Sequence, residues 1–180
     1  MSETWSLDAS SGELLIRTGV AGPAAKTGHR LTIRMQTWQA TVKWRGKVPI
    51  AVELIVSADS LEVMKGEGGV TPLGGPEKGI ARSNALKSLD VKKFPQIRFT
   101  ASDITKVADG YRLSGTVEIH GTSRPEVIDL KVEDRGDTWA MSAQAAVTQS
   151  DFGVKPYSLL MGAIKVADQV TIDFSAAHTK

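Results

Sequence analysis

This 180-residue sequence predicts an all-β, antiparallel fold, and three observations carry the reading. Apolar and polar residues alternate with period two through eight separate runs, the pattern of half-buried strands. Glycine-containing turn signals separate several of those runs. Only two segments break the rhythm.

The runs follow in chain order. Leu31, Ile33 and Met35 alternate with Thr32, Arg34 and Gln36. Trp38, Ala40, Val42 and Trp44 then face away from Gln39, Thr41 and Lys43, and Ile50, Val52, Leu54 and Val56 repeat the pattern. Further on come 97–99, Tyr111 and Leu113 with Val117 and Ile119, and Ile128, Leu130 and Val132. The last two are Trp139, Met141, Ala143 and Val147, then Val170, Ile172 and Phe174. Arg45-Gly46, Asp109-Gly110, His120-Gly121 and Arg135-Gly136-Asp137 mark tight turns, so the strands form a meander. A sheet with one apolar face must stack on another sheet or close on itself, and a barrel of about eight strands just encloses side chains or one ligand. The first break in rhythm is Gly- and Pro-rich from residue 66 and leads to a helix near 76–90, with Pro76 at its start and Ile80, Ala85, Leu86 and Leu89 on one face. The second, near 154–164, gathers Tyr157, Leu159, Leu160 and Met161 and reads as another short helical segment. Neither linker nor repeat interrupts the chain, so residues 1–180 read as a single domain.

Composition narrows the function classes. Formal charge is +2, with 22 basic residues scattered among 20 acidic ones, so no basic face or arm points to nucleic acid. The absence of cysteine excludes disulfides, thiolate metal sites and thiol catalysis. No window of eighteen apolar residues suggests a membrane span, and no secretory signal opens the sequence, so a cytoplasmic location is expected. Gly66-Glu67-Gly68-Gly69 completes neither phosphate-binding fingerprint and reads as a flexible loop. Asp151-Phe152-Gly153 matches a kinase tripeptide but lacks every companion motif. His29, His120 and His178 are not spaced as metal ligands; the first two read as turn or rim residues and the third as frayed. Small residues at inward positions, Ala40, Ala101, Gly115, Ala143 and Ala145, fit either a cavity or close sheet packing.

Residues 84–99, NALKSLDVKKFPQIRF, carry a resemblance as well as a helix. Leu86-Lys87-Ser88-Leu89-Asp90-Val91-Lys92-Lys93-Phe94-Pro95-Gln96-Ile97-Arg98-Phe99 resembles the L-x-S…D-V-x-K-[YF]-P-x-I-x-F signature of YceI-like proteins, the polyisoprenoid-binding, lipocalin-like family. Gly115-Thr116-Val117-Glu118-Ile119-His120-Gly121-Thr122-Ser123-Arg124-Pro125 is similar to that family's hairpin. Ser150-Asp151-Phe152-Gly153-Val154, Val166-Ala167-Asp168-Gln169-Val170-Thr171-Ile172 and the opening Trp5-Ser6-Leu7-Asp8 match further family segments. The chain departs from the pattern at Ser10-Ser11-Gly12, in an insertion between Gly19 and His29, and at Gln149 or Ser150, where members carry Arg.

The resemblance implies an extended antiparallel, lipocalin-like barrel of about eight strands holding a long isoprenoid-type chain. It implies ligand contacts from the wall residues Trp38, Ala40, Val42, Val52, Leu54, Phe99, Leu113, Gly115, Val117, Met141, Ala143, Phe152, Leu160 and Ile172. Leu86, Leu89 and Phe94 would face inward from a helical cover, leaving Lys87, Lys92 and Lys93 at the rim for an anionic head group or as a solvated face. No cofactor or metal is required, the partner being an amphiphilic lipid. The alternatives are an enzyme acting on such a lipid through His29, His120 or Asp151, and a filled barrel recruiting a protein partner or a second copy through the 154–164 segment.

Overall fold

The computed structural model describes residues 2–180, and they fold as predicted around one long antiparallel ladder. Its strands are β1 (Ser2–Asp8), β2 (Gly12–Arg17), β4 (His29–Met35), β5 (Trp38–Arg45), β6 (Val48–Ser57) and β7 (Leu61–Gly68), then β8 (Gln96–Val107), β9 (Gly110–Ile119), β10 (Thr122–Asp134), β11 (Thr138–Thr148) and β14 (Gln169–Thr179). Three short strands, β3 (Val20–Ala21), β12 (Ser158–Leu159) and β13 (Ile164–Val166), pair separately in the order β12-β13-β3. The one α-helix, α1, runs Gly75–Leu89.

The ladder closes because three of its strands are long and bent. β4 runs into β5 through Gln36 and Thr37, while their partners β7 and β6 are joined at 58–60. Gln36 N donates to Ser60 O and Ser57 N to Thr37 O, so the pairing carries through the corner. β1 and β2 turn the same corner, β1 pairing with β5 and β2 with β4. Counting each bent pair once, the eleven segments become eight staves. Neighbours then run β1/β2, β4/β5, β6/β7, β8, β9, β10, β11, β14 and back to β2. The last step, Thr171↔Arg17 through Ala176↔Gly12, closes the ring of staves, in which β1 and β7 are the two segments that pair on one side only. On the outside of this seam Arg17 Nε donates to Asp173 Oδ2 at 2.5 Å.

Turn chemistry explains the hairpins. His120 and Gly121 both take positive φ, 55° and 72°, which gives the β9–β10 connection the twist a two-residue hairpin needs. An added Cβ on Gly121 would also strike the Phe94 ring. Gly66 and Gly68, expected in a flexible loop, belong to the paired end of β7, where His29 lies opposite Gly68. Glycine next in line, at 69, leaves room for the His29 ring. The expected second helical segment at 154–164 is instead β12, a single 3-10 turn at Leu160–Gly162 and the start of β13. Residues 156–166 pair with one another, Val166 N donating to Tyr157 O, which leaves too few consecutive residues for a helix.

Inside, side chains divide the barrel by size. One end is filled by aromatic rings: Trp5 lies 4.7 Å from Trp44 and stacks on His178 at 4.0 Å, and Tyr111 meets Trp44 edge-on. His178 is therefore a packed residue of β14, not a frayed one, because β14 stays paired with β11 as far as Thr179. Leu7, Leu14, Met35, Val56, Leu61 and Met141 form the buried girdle beyond it. α1 covers the other end. Pro76 opens it, Asp90 closes it in the left-handed conformation, and Arg82 binds it to the corner by donating to Leu61 O and Asp59 O.

Gly115 was expected to face a cavity, but its place in the ladder gives it a different role. A Cβ there would overlap the carbonyl oxygen of Thr100, beside the bulge that leaves Ser102 unpaired between Ala101 and Asp103. Gly115→Ala is expected to cost roughly 1–3 kcal/mol in urea unfolding. Gly79→Ala, in open space on α1, should stabilise by about 0.5–1 kcal/mol. Arg17 holds the Asp173 carboxyl below its usual range. A lowered folded-state value stabilises above the unfolded value and is lost as pH falls through the folded one. Arg17→Met should therefore flatten the acid limb of the stability–pH curve below about pH 4, and, the pair being partly exposed, by no more than about 1 kcal/mol.

Candidate functional site

Strand parity directs every second residue of the staves inward, and above the aromatic plug those residues do not meet. They surround a cavity of about 630 Å³, within the range of small-molecule sites. Its wall is almost wholly aliphatic and aromatic. Of the residues expected there, Ala40, Val42, Val52, Leu54, Leu89, Phe99, Leu113, Val117, Met141, Ala143, Phe152 and Ile172 line it.

Five others do not. Trp38 is 3% exposed and packs edge-on against Phe174, so it stands behind the wall. Gly115 serves the β8–β9 contact. Phe94 leaves the cover and lies against His120 at the β9–β10 tip, 4.6 Å between rings, with Lys93 Nζ 5.3 Å from the centre of its ring. Leu86 packs on the core from the flank of α1, because the cavity-facing stripe of the helix is Glu77, Ile80, Ala81, Asn84, Ala85, Ser88 and Leu89. Leu160 projects into solvent, 71% exposed with φ 52°.

The rim differs from expectation in charge. Lys87, Lys92 and Lys93 are exposed and absent from the lining. Charged side chains that do reach it are Glu77, Glu126 and Lys165. Helical periodicity explains the miss for Lys87, which follows Leu86 around the flank; Lys92 and Lys93 lie in the turn beyond the C-cap. The wall also includes residues the sequence reading passed over: Leu7, Leu14 and Ile16 from the first stave, Leu31, Ile33, Leu61 and Leu73, and Tyr157, Leu159 and Ile164 from the 154–166 segment. Period-two alternation in Trp5-Ser6-Leu7 is the available signal for β1, whereas Leu14-Leu15-Ile16 is uniformly apolar and carries none for β2.

The tripeptide at 151–153 has a packing role. Gln149–Phe152 forms a 3-10 turn ended by Gly153 at φ 71°, which drives Phe152 into the cavity wall at 4% exposure. Arg124 Nε donates to Asp151 O, and Ser150 N to Asp168 Oδ1, so segment 150–154 is held between the hairpin at 115–125 and the segment 166–172. Gln149, standing near the expected Arg, donates to Ala167 O. His29 reaches the lining, with Nε2 2.6 Å from Thr71 O, while His120 and Asp151 lie off it. Among the described residues no group of three or more His, Asp or Glu is placed to hold a metal ion, and no helix is long and apolar enough to cross a membrane. Phe152→Ala is expected to cost about 3–5 kcal/mol in chemical denaturation, by opening the upper wall.

A YceI-like domain model matches residues 5–178. Over 72 residues the chain is 31% identical to UPF0312 protein YE1254 of Yersinia enterocolitica and 29% identical to UPF0312 protein ECA1782 of Pectobacterium atrosepticum. Each aligned stretch is 37% of this chain and spans only 38% of the relative's length. Among solved structures, BcnA of Burkholderia cenocepacia has a TM-score of 0.73 at 18% identity, covering 96% of this chain and 99% of that one. A YceI protein of Campylobacter jejuni has a TM-score of 0.61 at 14% identity, covering 82% and 84%. At these identities the structures establish a shared barrel fold.

Proposed function

The chain belongs to the YceI-like family, and from that premise we propose that its barrel binds a long apolar amphiphile of polyisoprenoid type, carrying or storing it without catalysis. The observation behind this reading is the cavity itself, an apolar space of about 630 Å³ inside a closed wall and under a helical cover. A filled core would have gained packing energy from that volume, since voids in a core are destabilising. Burying hydrocarbon is worth about 0.8 kcal/mol per methylene, so each five-carbon unit contributes on the order of 3 kcal/mol before ordering costs.

Head-group chemistry follows the lining rather than the exposed lysines. Glu77, Asn84, Ser88 and Lys165 offer hydrogen bonds of mixed sign, which suits a compact polar head more than a densely anionic one. Neutralising Lys87, Lys92 and Lys93 together is expected to change affinity for phosphorylated and neutral prenyl chains equally, in a fluorescence displacement titration.

The direct test is native mass spectrometry of protein purified from its own host without detergent, followed by organic extraction. A stoichiometric prenyl or acyl lipid is the expected result. An empty protein that also refuses prenyl chains when they are offered would defeat the proposal. Ala143→Leu, which adds three carbons to the wall, should weaken retention at least tenfold while leaving the unfolding midpoint within the range of surface variants.

A further inference from the structure

We infer that the segment bridging β11 and β14 is a docking tip that seats the barrel mouth on an anionic lipid bilayer. This deepens the proposal of a lipid-binding cavity by assigning the route into it. The tip is the turn Leu160–Gly162 between β12 and β13. Leu160 and Met161 hold left-handed φ of 52° and 57°, a conformation unfavourable for residues with a Cβ. That backbone presents both side chains outward: Leu160 is 71% exposed and Met161 fully exposed. Two large apolar residues at the apex of a strained turn contribute nothing to the core. They fit a surface that receives them.

Charge identifies that surface. The small sheet below the tip, β12-β13-β3, lies within two segments, 18–29 and 152–167, joined by Lys165↔Ala21, Val166↔Val20 and the bond from Ala24 N to Ala163 O. These two segments contain Lys26, Lys155 and Lys165 and no Asp or Glu, in a chain whose whole formal charge is +2. All three lysines are exposed, and none forms an ion pair among the described residues. An apolar tip above three unpaired lysines, with the nearest carboxylates in sequence, Asp151 and Asp168, just beyond the two ends of the 152–167 segment, is complementary to anionic headgroups over hydrocarbon.

The tip is also continuous with the cavity. Leu159, next to it in sequence, lines the cavity, as do Tyr157 and Ile164 on the same small sheet. Across the mouth Ile80 of α1 both lines the cavity and is 62% exposed. A chain leaving a bilayer at this point would meet apolar side chains from the membrane surface to the barrel interior, without crossing water.

Co-sedimentation tests the docking step without any cavity ligand. The probes are phosphatidylcholine vesicles with and without one-quarter phosphatidylglycerol, at low and high salt. Wild-type protein is expected to bind the anionic vesicles at least tenfold more tightly, with the difference lost at high salt. Leu160→Asn with Met161→Asn, residues that accept the left-handed backbone, should lower that affinity at least fivefold, and Lys26→Gln with Lys155→Gln should remove most of the anionic preference. Retention of a prenyl chain by both variants, measured by extraction, would show the cavity intact and separate this test from that of the binding function. Equal binding of wild type and the Asn variant to anionic vesicles would overturn the docking proposal. So would light scattering that shows a wild-type dimer dissociated by the same two substitutions, which would assign the tip to a second copy.

Discussion

Backbone hydrogen bonding around a closed ring of eight staves is the constraint on which everything else depends. A hollow sheet cannot rely on a dense core for its rigidity, so the ladder must supply it. Closure is achieved by bending three adjacent staves over one corner at residues 9–11, 36–37 and 58–60, where Gln36, Thr37, Ser57 and Ser60 keep the pairing continuous. The seam between β14 and β2 then brings the chain's two ends into register. Among these staves only the β1 and β7 segments pair on a single side, so the wall resists collapse even though its interior is part empty.

That emptiness has a graded origin. Trp5, Trp44, Tyr111 and His178 fill the end away from α1, and the Trp44 indole N–H is buried there without a protein partner, as is that of Trp38 beside Phe174. Such groups cost roughly 1–3 kcal/mol each, so the plug is held by ring contact rather than by polar pairing. Farther up, Ala40, Ala143 and Ala145 replace large residues on facing staves, and the volume they omit becomes the cavity. Small inward residues thus have two roles here: Ala143 leaves the cavity its width, whereas Gly115 leaves room for the backbone of the neighbouring strand.

Much of the barrel was legible in period-two alternation, though the strand number came out right partly by compensation. The eight runs in the sequence count β4 and β5 separately, although they are one bent stave, and omit β1 and β2, which form another. The alternation in Trp5–Leu7 and the apolar run Leu14–Ile16 are too short to stand alone, and only tertiary pairing with β5, β4 and β14 makes them strands. Parity gave most of the cavity wall because it depends only on the pleat. Parity does not report depth along the stave, and so Trp38 was placed beside the cavity instead of behind it. Nor does it apply past a helix end: Phe94 follows the left-handed Asp90, and its direction was set by the His120-Gly121 turn, a partner 26 residues away.

The cover is held by few contacts, and its composition shows why. α1 has no buried residue, and it is held by Arg82 at the corner and by apolar packing of Ala81, Ala85, Leu86 and Leu89. Its cavity-facing stripe interleaves these with Glu77, Asn84 and Ser88, whose polar groups would sit badly over a fully apolar space. A helix with a wholly apolar stripe would seal the barrel more tightly and would also cost more to lift. Local openings draw on the elements with the fewest buried contacts. The wall therefore keeps the apolar interior, the plug fixes its depth, and the mixed face of α1 binds the cover to the ring less tightly than a wholly apolar stripe would.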